Sequence, residues 1–166
     1  MGGETAARAA LCVLLLAAVC AGAGAPADRR SGDPGDRVVV AGGLPTEPQL
    51  VVGVSRPSDL VGLWQSVLWA DGYSAPSAVT CAYDETTAAT TRVWQSNHHL
   101  IPDGIVGPAT WGAAAARIVP AGGWLVYQGE RYGLPLRPAP GGAYEVYDAG
   151  RFHPLRTDSV TLTDCR

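Results

Sequence analysis

The sequence predicts an α+β protein in which a three-helix bundle is followed by a small antiparallel β-meander of three or four strands. Two observations support this prediction. Apolar residues recur at helical spacing in segments between Asp59 and Ile118, each of which begins with residues suited to a helix start. After residue 120, the runs "WLVYQ", "AYEVYD", "RFHPL" and "VTLTD" alternate apolar and polar residues, which is typical of strands with one buried face.

The first 25 residues predict a secretory signal peptide. Arg8 precedes the apolar run "AALCVLLLAAVCAGAGA", which is too short for a stable bilayer span and ends in small residues, with Ala23–Ala25 as the expected cleavage site. We therefore expect a secreted protein with no membrane span in its mature form. A lipid anchor at Cys20 is the alternative, but Val19 stands where a small residue is favoured.

The predicted signal peptide decides how the four cysteines are interpreted, because it is removed when the protein is secreted. Two of them leave with the signal peptide, so Cys81 and Cys165 remain. Two thiols in an oxidising compartment most simply pair, and free buried cysteines are the alternative. A disulfide would tie the last residues to the middle of the chain.

Residues 26–55 are predicted to form a flexible leader, because "PADRRSGDPGDR" is polar and rich in Gly, Pro and Asp. Two apolar runs follow, "RVVVAGG" and "QLVVGVS", which fit either short strands or an extended arm. The basic residues are all arginine and form no long runs, and the net charge is −3. This pattern predicts no nucleic-acid partner.

The first helix is predicted over about Asp59–Ala70. Ser58 can cap it with its hydroxyl, Asp59 favours the positive end of the helix dipole, and Gly72 can end it. Apolar residues follow at helical spacing: Leu60, Trp64, Val67 and Leu68.

The second and third helices have equally local start signals. Asp84 can cap "ETTAATTRVWQSN", in which Thr87, Thr91, Trp94 and His98 share one face. In "IPDGIVGPATWG", Gly107 lies at a turn and Pro108 fits the first helical position, which needs no N–H donor. The alanine-rich "ATWGAAAARI" supplies the body of the third helix.

The chain also repeats one helix–loop unit. "WQS" occurs at residues 64–66 and again at 94–96, late in each of the first two helices. The loop "TCAYDETT" from Thr80 then corresponds to "DGIVGPAT" from Asp103, with Thr87 opposite Thr110.

The run from Leu60 to Ile118 resembles the three-helix peptidoglycan-binding domain of bacterial cell-wall hydrolases and spore-coat enzymes. That family has an apolar residue followed by Gln in each of its first two helices, Gly-Tyr after the first, and Asp-Gly-x-x-Gly-x-x-Thr before the second and third. The matching residues are Trp64, Gln65, Gly72, Tyr73, Trp94, Gln95, His98, Leu100, Asp103, Gly104, Gly107, Pro108, Thr110 and Trp111.

The sequence departs from the family pattern in its first loop. Thr80, Cys81 and Asp84 stand where the family usually has Asp, Gly and Gly, and His99 replaces a common Gly. A cysteine there is consistent with a loop clamped by Cys165 rather than by glycine geometry.

The resemblance implies a domain at residues 56–119 that binds peptidoglycan, either its glycan or its stem peptide. Residues 120–166 lie beyond the resemblance, and their alternation predicts the β-rich extension. The expected location is extracellular or associated with the cell wall, and the expected state is a monomer. The structural motif residues are Trp64, Gln65, Trp94, Gln95, Gly104, Gly107 and Pro108.

The tryptophans of that motif are expected in the core, and the glutamines are expected to hold loop backbone groups through amide hydrogen bonds. Positions at helix ends and in the second loop favour direct contact with a ligand, in one shallow groove. These predicted ligand residues are Trp69, Tyr73, Asn97, Asp103, Thr110 and Trp111. Asp103 is also expected to cap its own turn.

No catalytic set, metal site or cofactor site is predicted. His98, His99 and His153 lack the spacing of zinc ligands, and His98 lies on the apolar face of the second helix. Paired cysteines offer no nucleophile.

Two hypotheses follow. The first is a secreted, non-catalytic protein that binds peptidoglycan through the helical domain. The second is a secreted protein–protein interaction factor, an inhibitor or adaptor, that uses the β-rich extension.

Overall fold

The computed structural model describes Leu44, residues 49–140 and residues 144–165. All of these residues belong to one compact unit, Arg37–Arg166. The predicted signal peptide and most of the predicted leader lie outside the described residues. None of the described helices is long and apolar enough to cross a membrane.

Three α-helices form the first part of this unit, and the three predicted helices are confirmed. Their bounds are Asp59–Ala70 for α1, Glu85–Asn97 for α2 and Pro108–Ala115 for α3. Ser58 caps α1 and Asp84 caps α2, each through a side-chain oxygen that accepts a backbone N–H. Pro108 occupies the first position of α3. A single 3₁₀ turn, Pro76–Ala78, lies between α1 and α2.

Three tryptophans, one from each helix, form the centre of the helical core. The ring of Trp64 lies edge-on to those of Trp94 and Trp111, with centroid distances of 5.1 and 5.4 Å. All three are fully buried. Edge-to-face pairing of this kind adds to the stabilisation that comes from burying the rings.

A five-stranded antiparallel sheet follows, with strand order β1-β2-β3-β4-β5, so the chain forms a meander. The bounds are Ile118–Ala121, Trp124–Gln128, Gly133–Pro138, Tyr144–Asp148 and Arg151–Pro154. The α+β prediction is confirmed, but the sheet has five strands rather than the expected three or four. Strand β1 begins at Ile118, where the sequence predicted the end of the third helix.

One face of the sheet covers the helices. Leu125 on β2, Leu136 on β3 and Val146 on β4 lie opposite one another in register and are buried. Tyr127, two residues after Leu125, is buried on the same face. The alternation of buried and exposed residues along β2 is the pattern that predicted a strand.

Asp71, at the end of α1, joins the helices to the sheet. Its carboxylate accepts hydrogen bonds from Trp94 Nε1 and from the Tyr127 hydroxyl, both at 2.6 Å, and from the Glu130 backbone N–H at 2.9 Å. Arg117 lies 3.4 Å away as a counter-charge. Burial, reinforced by the bond to Asp71, raises the pKa of Tyr127.

The C-terminal residues are held against α1 by Asp59. Its carboxylate accepts the Thr161 backbone N–H and hydroxyl, both at 2.6 Å, and the Leu162 N–H at 3.1 Å. "VTLTD" therefore forms no strand, although its alternation predicted one, because side-chain carboxylates take up its N–H groups. Cys81 and Cys165 form a disulfide with a Cα–Cα distance of 5.2 Å, which confirms the predicted pairing.

Part of the segment predicted as leader packs onto the domain. Leu44 and Leu50 are each 2% exposed and belong to the core. Leu50 forms an antiparallel bridge with Val106 through two backbone hydrogen bonds of 3.1 Å. For "QLVVGVS" the structure has neither a full strand nor an extended arm: Leu50 makes a single bridge, and residues 52–54 turn, with the Ser55 N–H donating to the Val51 carbonyl at 2.9 Å.

Candidate functional site

Two glutamines hold the two loops of the helical domain in the same way. Gln95 Oε1 accepts the Gly104 N–H at 2.8 Å, while its Nε2 donates to the Ile105 carbonyl at 2.9 Å and to Thr110 Oγ1 at 3.0 Å. The same Nε2 is 2.9 Å from Asp103 Oδ1, which also accepts the Ile105 N–H. Asp103 therefore closes its own turn, as predicted.

Gln65 repeats this arrangement in the first loop. Its Oε1 accepts the N–H groups of Thr80 and Cys81 at 2.9 and 2.8 Å, and its Nε2 donates to the Ala82 carbonyl and to Thr87 Oγ1, both at 3.0 Å. The two loops are thus two copies of one hydrogen-bonded unit. The predicted structural role of both glutamines is confirmed.

Cys81 takes the backbone conformation that Gly104 takes in the other copy. Their φ angles are +59° and +75°, in the left-handed region that favours glycine. A cysteine side chain in that region is unfavourable by itself. The departure from the family pattern therefore leaves the loop conformation intact, and the disulfide holds the residue in place.

Tyr73 and Asn97 are brought together, as the predicted groove required. They lie at the ends of α1 and α2, and Asn97 Nδ2 donates to the Tyr73 hydroxyl at 2.9 Å. Asn97 is exposed and Tyr73 is partly buried. Trp69 points elsewhere, because its ring stacks on that of Tyr132 before β3, with centroids 4.8 Å apart.

Trp111 was expected at the surface, and that expectation is wrong. Its ring is fully buried against Trp64, and its Nε1 has no hydrogen-bond partner among the described residues. Thr110 is also buried, and its hydroxyl donates to the Ile105 carbonyl at 3.2 Å. Both side chains face the core of the helical domain, so neither can contact a large ligand in this structure.

A groove of about 320 Å³ lies between the end of α1, the 3₁₀ turn and the first turns of α2. We call it the helical groove. Leu68, Ala75 and Ala78 give it an apolar lining, and the Gln65 amide and the Asp84 carboxylate also line it. The remaining polar lining comes from hydroxyl-bearing side chains. These are Tyr73, Ser74, Thr80, Thr86, Thr87 and Thr90.

Ser74 is the residue in the helical groove whose hydrogen bonding is incomplete. Its Oγ is buried and has no partner within the described part of the chain. A buried hydroxyl without a partner is costly, so a water molecule or a ligand group is needed there. The helical groove therefore combines apolar surface with hydroxyl groups, which is the chemistry of a site for a small, uncharged polar ligand.

Residues 57–114 match the family model described as "Putative peptidoglycan binding domain". This segment is similar to that family. The match covers roughly a third of the 166 residues, all of them within the predicted helical domain. No curated protein and no solved structure matches the chain.

The start of α2, which lies within the matched segment, already holds a negative charge. Asp84 Oδ1 accepts the Thr87 N–H and the Thr87 hydroxyl, both at 2.8 Å. The bond from the Thr87 N–H keeps the pKa of Asp84 below its ordinary value. A ligand carboxylate at this helix start would be repelled, so the helical groove favours uncharged groups.

Ser74, Ala78, Thr86 and Thr90 were not predicted as site residues. The sequence contained one signal for two of them. Thr86 and Thr90 lie four residues apart and so share one side of the helix, although threonines reduce its intrinsic stability. Ser74 and Ala78 are small residues whose role depends on the gap between α1 and α2. No sequence pattern predicts the width of that gap.

Two of the three histidines, His98 and His153, have side chains engaged in contacts within the protein. His98 stacks on Trp94, with its Nδ1 2.8 Å from the Trp94 carbonyl oxygen and its Nε2 3.0 Å from Arg117. His153 Nε2 lies 3.0 Å from Arg151 Nε. Within residues 49–140 and 144–165, no group of three or more His, Cys, Asp or Glu side chains is arranged to hold a metal ion.

Proposed function

We propose that this chain is a secreted, non-catalytic protein that binds bacterial peptidoglycan through its helical domain. The observation that carries the proposal is the family match over residues 57–114, combined with the helical groove that these residues form. The predicted signal peptide and a disulfide, which is stable in an oxidising compartment, favour secretion. Engaged histidines and paired cysteines favour binding over hydrolysis.

The chemistry of the helical groove fits the polymer. Peptidoglycan offers hydroxyls, N-acetyl amides and peptide amides, which are groups that both donate and accept hydrogen bonds. The hydroxyls of Ser74, Thr86 and Tyr73 do the same. The apolar lining from Leu68 and Ala78 suits methyl groups and the C–H faces of sugars.

Sedimentation with purified, protein-free peptidoglycan tests the proposal. The parent protein should pellet with the polymer. Tyr73→Ala and Thr86→Val should each weaken retention by about fivefold or more, the loss expected for a contributing contact, while circular dichroism stays native. Val93→Ala is the control, because Val93 is 54% exposed on α2 and does not line the groove.

The result that contradicts the proposal is a folded parent protein that stays in the supernatant. If Tyr73→Ala, Thr86→Val and Val93→Ala are all retained as well as the parent protein, the helical groove is not the binding site.

The absence of catalysis has its own assay. Incubation of the pure protein with cell wall should release neither reducing sugars nor free amino groups. Reproducible turnover that a single substitution abolishes would show that the chain is an enzyme.

A further inference from the structure

The outer face of the sheet, which points away from the helices, carries exposed aromatic side chains. Trp124 on β2 is 43% exposed and Tyr147 on β4 is 48% exposed. Phe152 on β5 pairs in register with Tyr147 and is partly buried. Together the three rings form one apolar surface that a ligand can contact.

Phe152 lies between the other two rings. Its centroid is 5.6 Å from that of Trp124 and 5.3 Å from that of Tyr147, and each neighbour is inclined to it by about 70°. The guanidinium carbon of Arg137 lies 4.7 Å from the Phe152 centroid. Arg137 is held in turn by an ion pair with Glu145 on the neighbouring strand. We call Trp124, Tyr147, Phe152 and the Arg137–Glu145 pair the aromatic face.

The aromatic face is rigid and combines two kinds of group. Exposed ring surfaces can pack against the apolar C–H faces of sugar rings, while the guanidinium and carboxylate can bond to hydroxyl and amide groups at the sugar edges. The strand ladder sets the spacing of the five backbone positions, and the contacts of Phe152 and Arg137 with their neighbours hold the side chains together.

The size of the aromatic face argues against a protein partner. A large aromatic side chain has about 150–250 Å² of surface, and two of these are about half exposed, so the rings offer roughly 200 Å². A stable protein–protein interface needs about 800 Å² on each partner. A ligand one or two sugar rings long matches the available area better.

We propose that the aromatic face binds the glycan strand of peptidoglycan, as a second contact separate from the helical groove. The choice of this polymer rests on the proposed function. The aromatic face and the helical groove share no residue, so the two contacts can be removed one at a time. Two weak contacts with one cell wall would raise retention beyond that of either alone.

The indole N–H of Trp124 provides a direct probe. The chain has five tryptophans, of which Trp64, Trp94 and Trp111 are fully buried and Trp69 is stacked on Tyr132. In ¹⁵N-labelled full-length protein, short glycan strands freed of stem peptides should shift the Trp124 indole resonance, which Trp124→Phe would identify. Stem peptides freed of glycan should leave it in place.

Paired variants measure the contribution of the aromatic face to affinity. Tyr147→Ala should weaken binding of the peptide-free glycan strands by at least about fivefold. Tyr132→Ala is the matched control, because Tyr132 is 49% exposed and lies outside the aromatic face, and it should bind like the parent.

Two outcomes separate this inference from the proposed function. If the parent is retained on cell wall but glycan strands leave the Trp124 resonance unmoved, the aromatic face is not a glycan site, while the proposed function stands. If glycan strands shift Trp124 but Tyr73→Ala and Thr86→Val are retained like the parent, the helical groove is wrong and the aromatic face is supported.

Discussion

Replacing Gly129 by alanine tests how the sheet is attached to the helices. A Cβ atom at this position would lie 2.5 Å from the carbonyl oxygens of both Ala70 and Tyr132. The Ala70 oxygen ends α1 and accepts the N–H groups of Arg131 at 2.9 Å and of Tyr132 at 3.0 Å. The two obstructing atoms belong to the backbone, so no side-chain rotation can make room.

The cost can be worked out from these contacts. Real Cβ atoms essentially never lie closer than 3.0 Å to such neighbours. The turn between β2 and β3, which contains Gly129 and is called the hairpin below, must therefore move away from α1 by about 0.5 Å. Overpacking of this kind costs about 1–3 kcal/mol. Each of the two stretched hydrogen bonds to Ala70 contributes up to about 1 kcal/mol. We therefore expect Gly129→Ala to lower the free energy of unfolding by about 2–4 kcal/mol.

Gly112→Ala is the matched control, since it is the same substitution but is expected to raise the free energy of unfolding rather than lower it. Gly112 lies inside α3, and a Cβ atom there would meet nothing within 4 Å. Alanine should stabilise the helix by about 0.5–1 kcal/mol. Urea unfolding under non-reducing conditions measures both variants. A Gly129→Ala protein as stable as the parent would refute the described contact between the hairpin and α1.

Three further predictions concern the core, the disulfide and pH. Trp111→Ala should lower the free energy of unfolding by about 3–5 kcal/mol in urea, and a native-like stability would place the ring at the surface after all. Cys165→Ser opens a loop whose ends are 84 residues apart and should cost about 4–5 kcal/mol on the chain-entropy model, whereas an unchanged midpoint would mean that Cys81 is unpaired. Burial raises the pKa of Tyr83 to about 12, so the folded state favours its neutral form, and stability should decline as pH rises from about 10 to 12. Tyr83→Phe should reduce that decline. If the stability of the variant falls with pH as that of the parent does, the loss of stability does not come from Tyr83.

The helix bounds could be predicted because their signals are local. Ser58 and Asp84 each bond an N–H group three residues ahead, a contact that depends only on neighbouring residues. The doubled loop was visible in the sequence because "WQS" precedes each copy, and in the structure Gln65 and Gln95 each hold a loop N–H and a loop carbonyl.

The sheet was harder to predict because its strands are defined by their neighbours. Strand β3 contains Pro135 and Pro138, which locally argue against a strand, yet Leu136 between them pairs with both Leu125 and Val146. That tertiary pairing cannot be seen from the segment itself.

The candidate site was only partly predictable for the same reason. Of the six predicted ligand residues, Tyr73 lines the helical groove, and Asn97 contacts Tyr73 from the end of α2 without lining the groove. Trp111 was misplaced because the alanines around it give no apolar stripe, and contact with Trp64 decides its burial. The helical groove depends on the gap between α1 and α2, which is set by packing.

Titration of the ¹⁵N-labelled full-length protein with soluble peptidoglycan fragments that carry both glycan and stem peptide tests the central claim most directly. The account predicts saturable backbone amide shifts concentrated along the helical groove, at Tyr73, Ser74, Ala78, Thr86 and Thr90. Shifts there should disappear in Thr86→Val while the remaining spectrum stays native. A titration that leaves all of these amides unmoved at fragment concentrations up to the millimolar range would contradict the account.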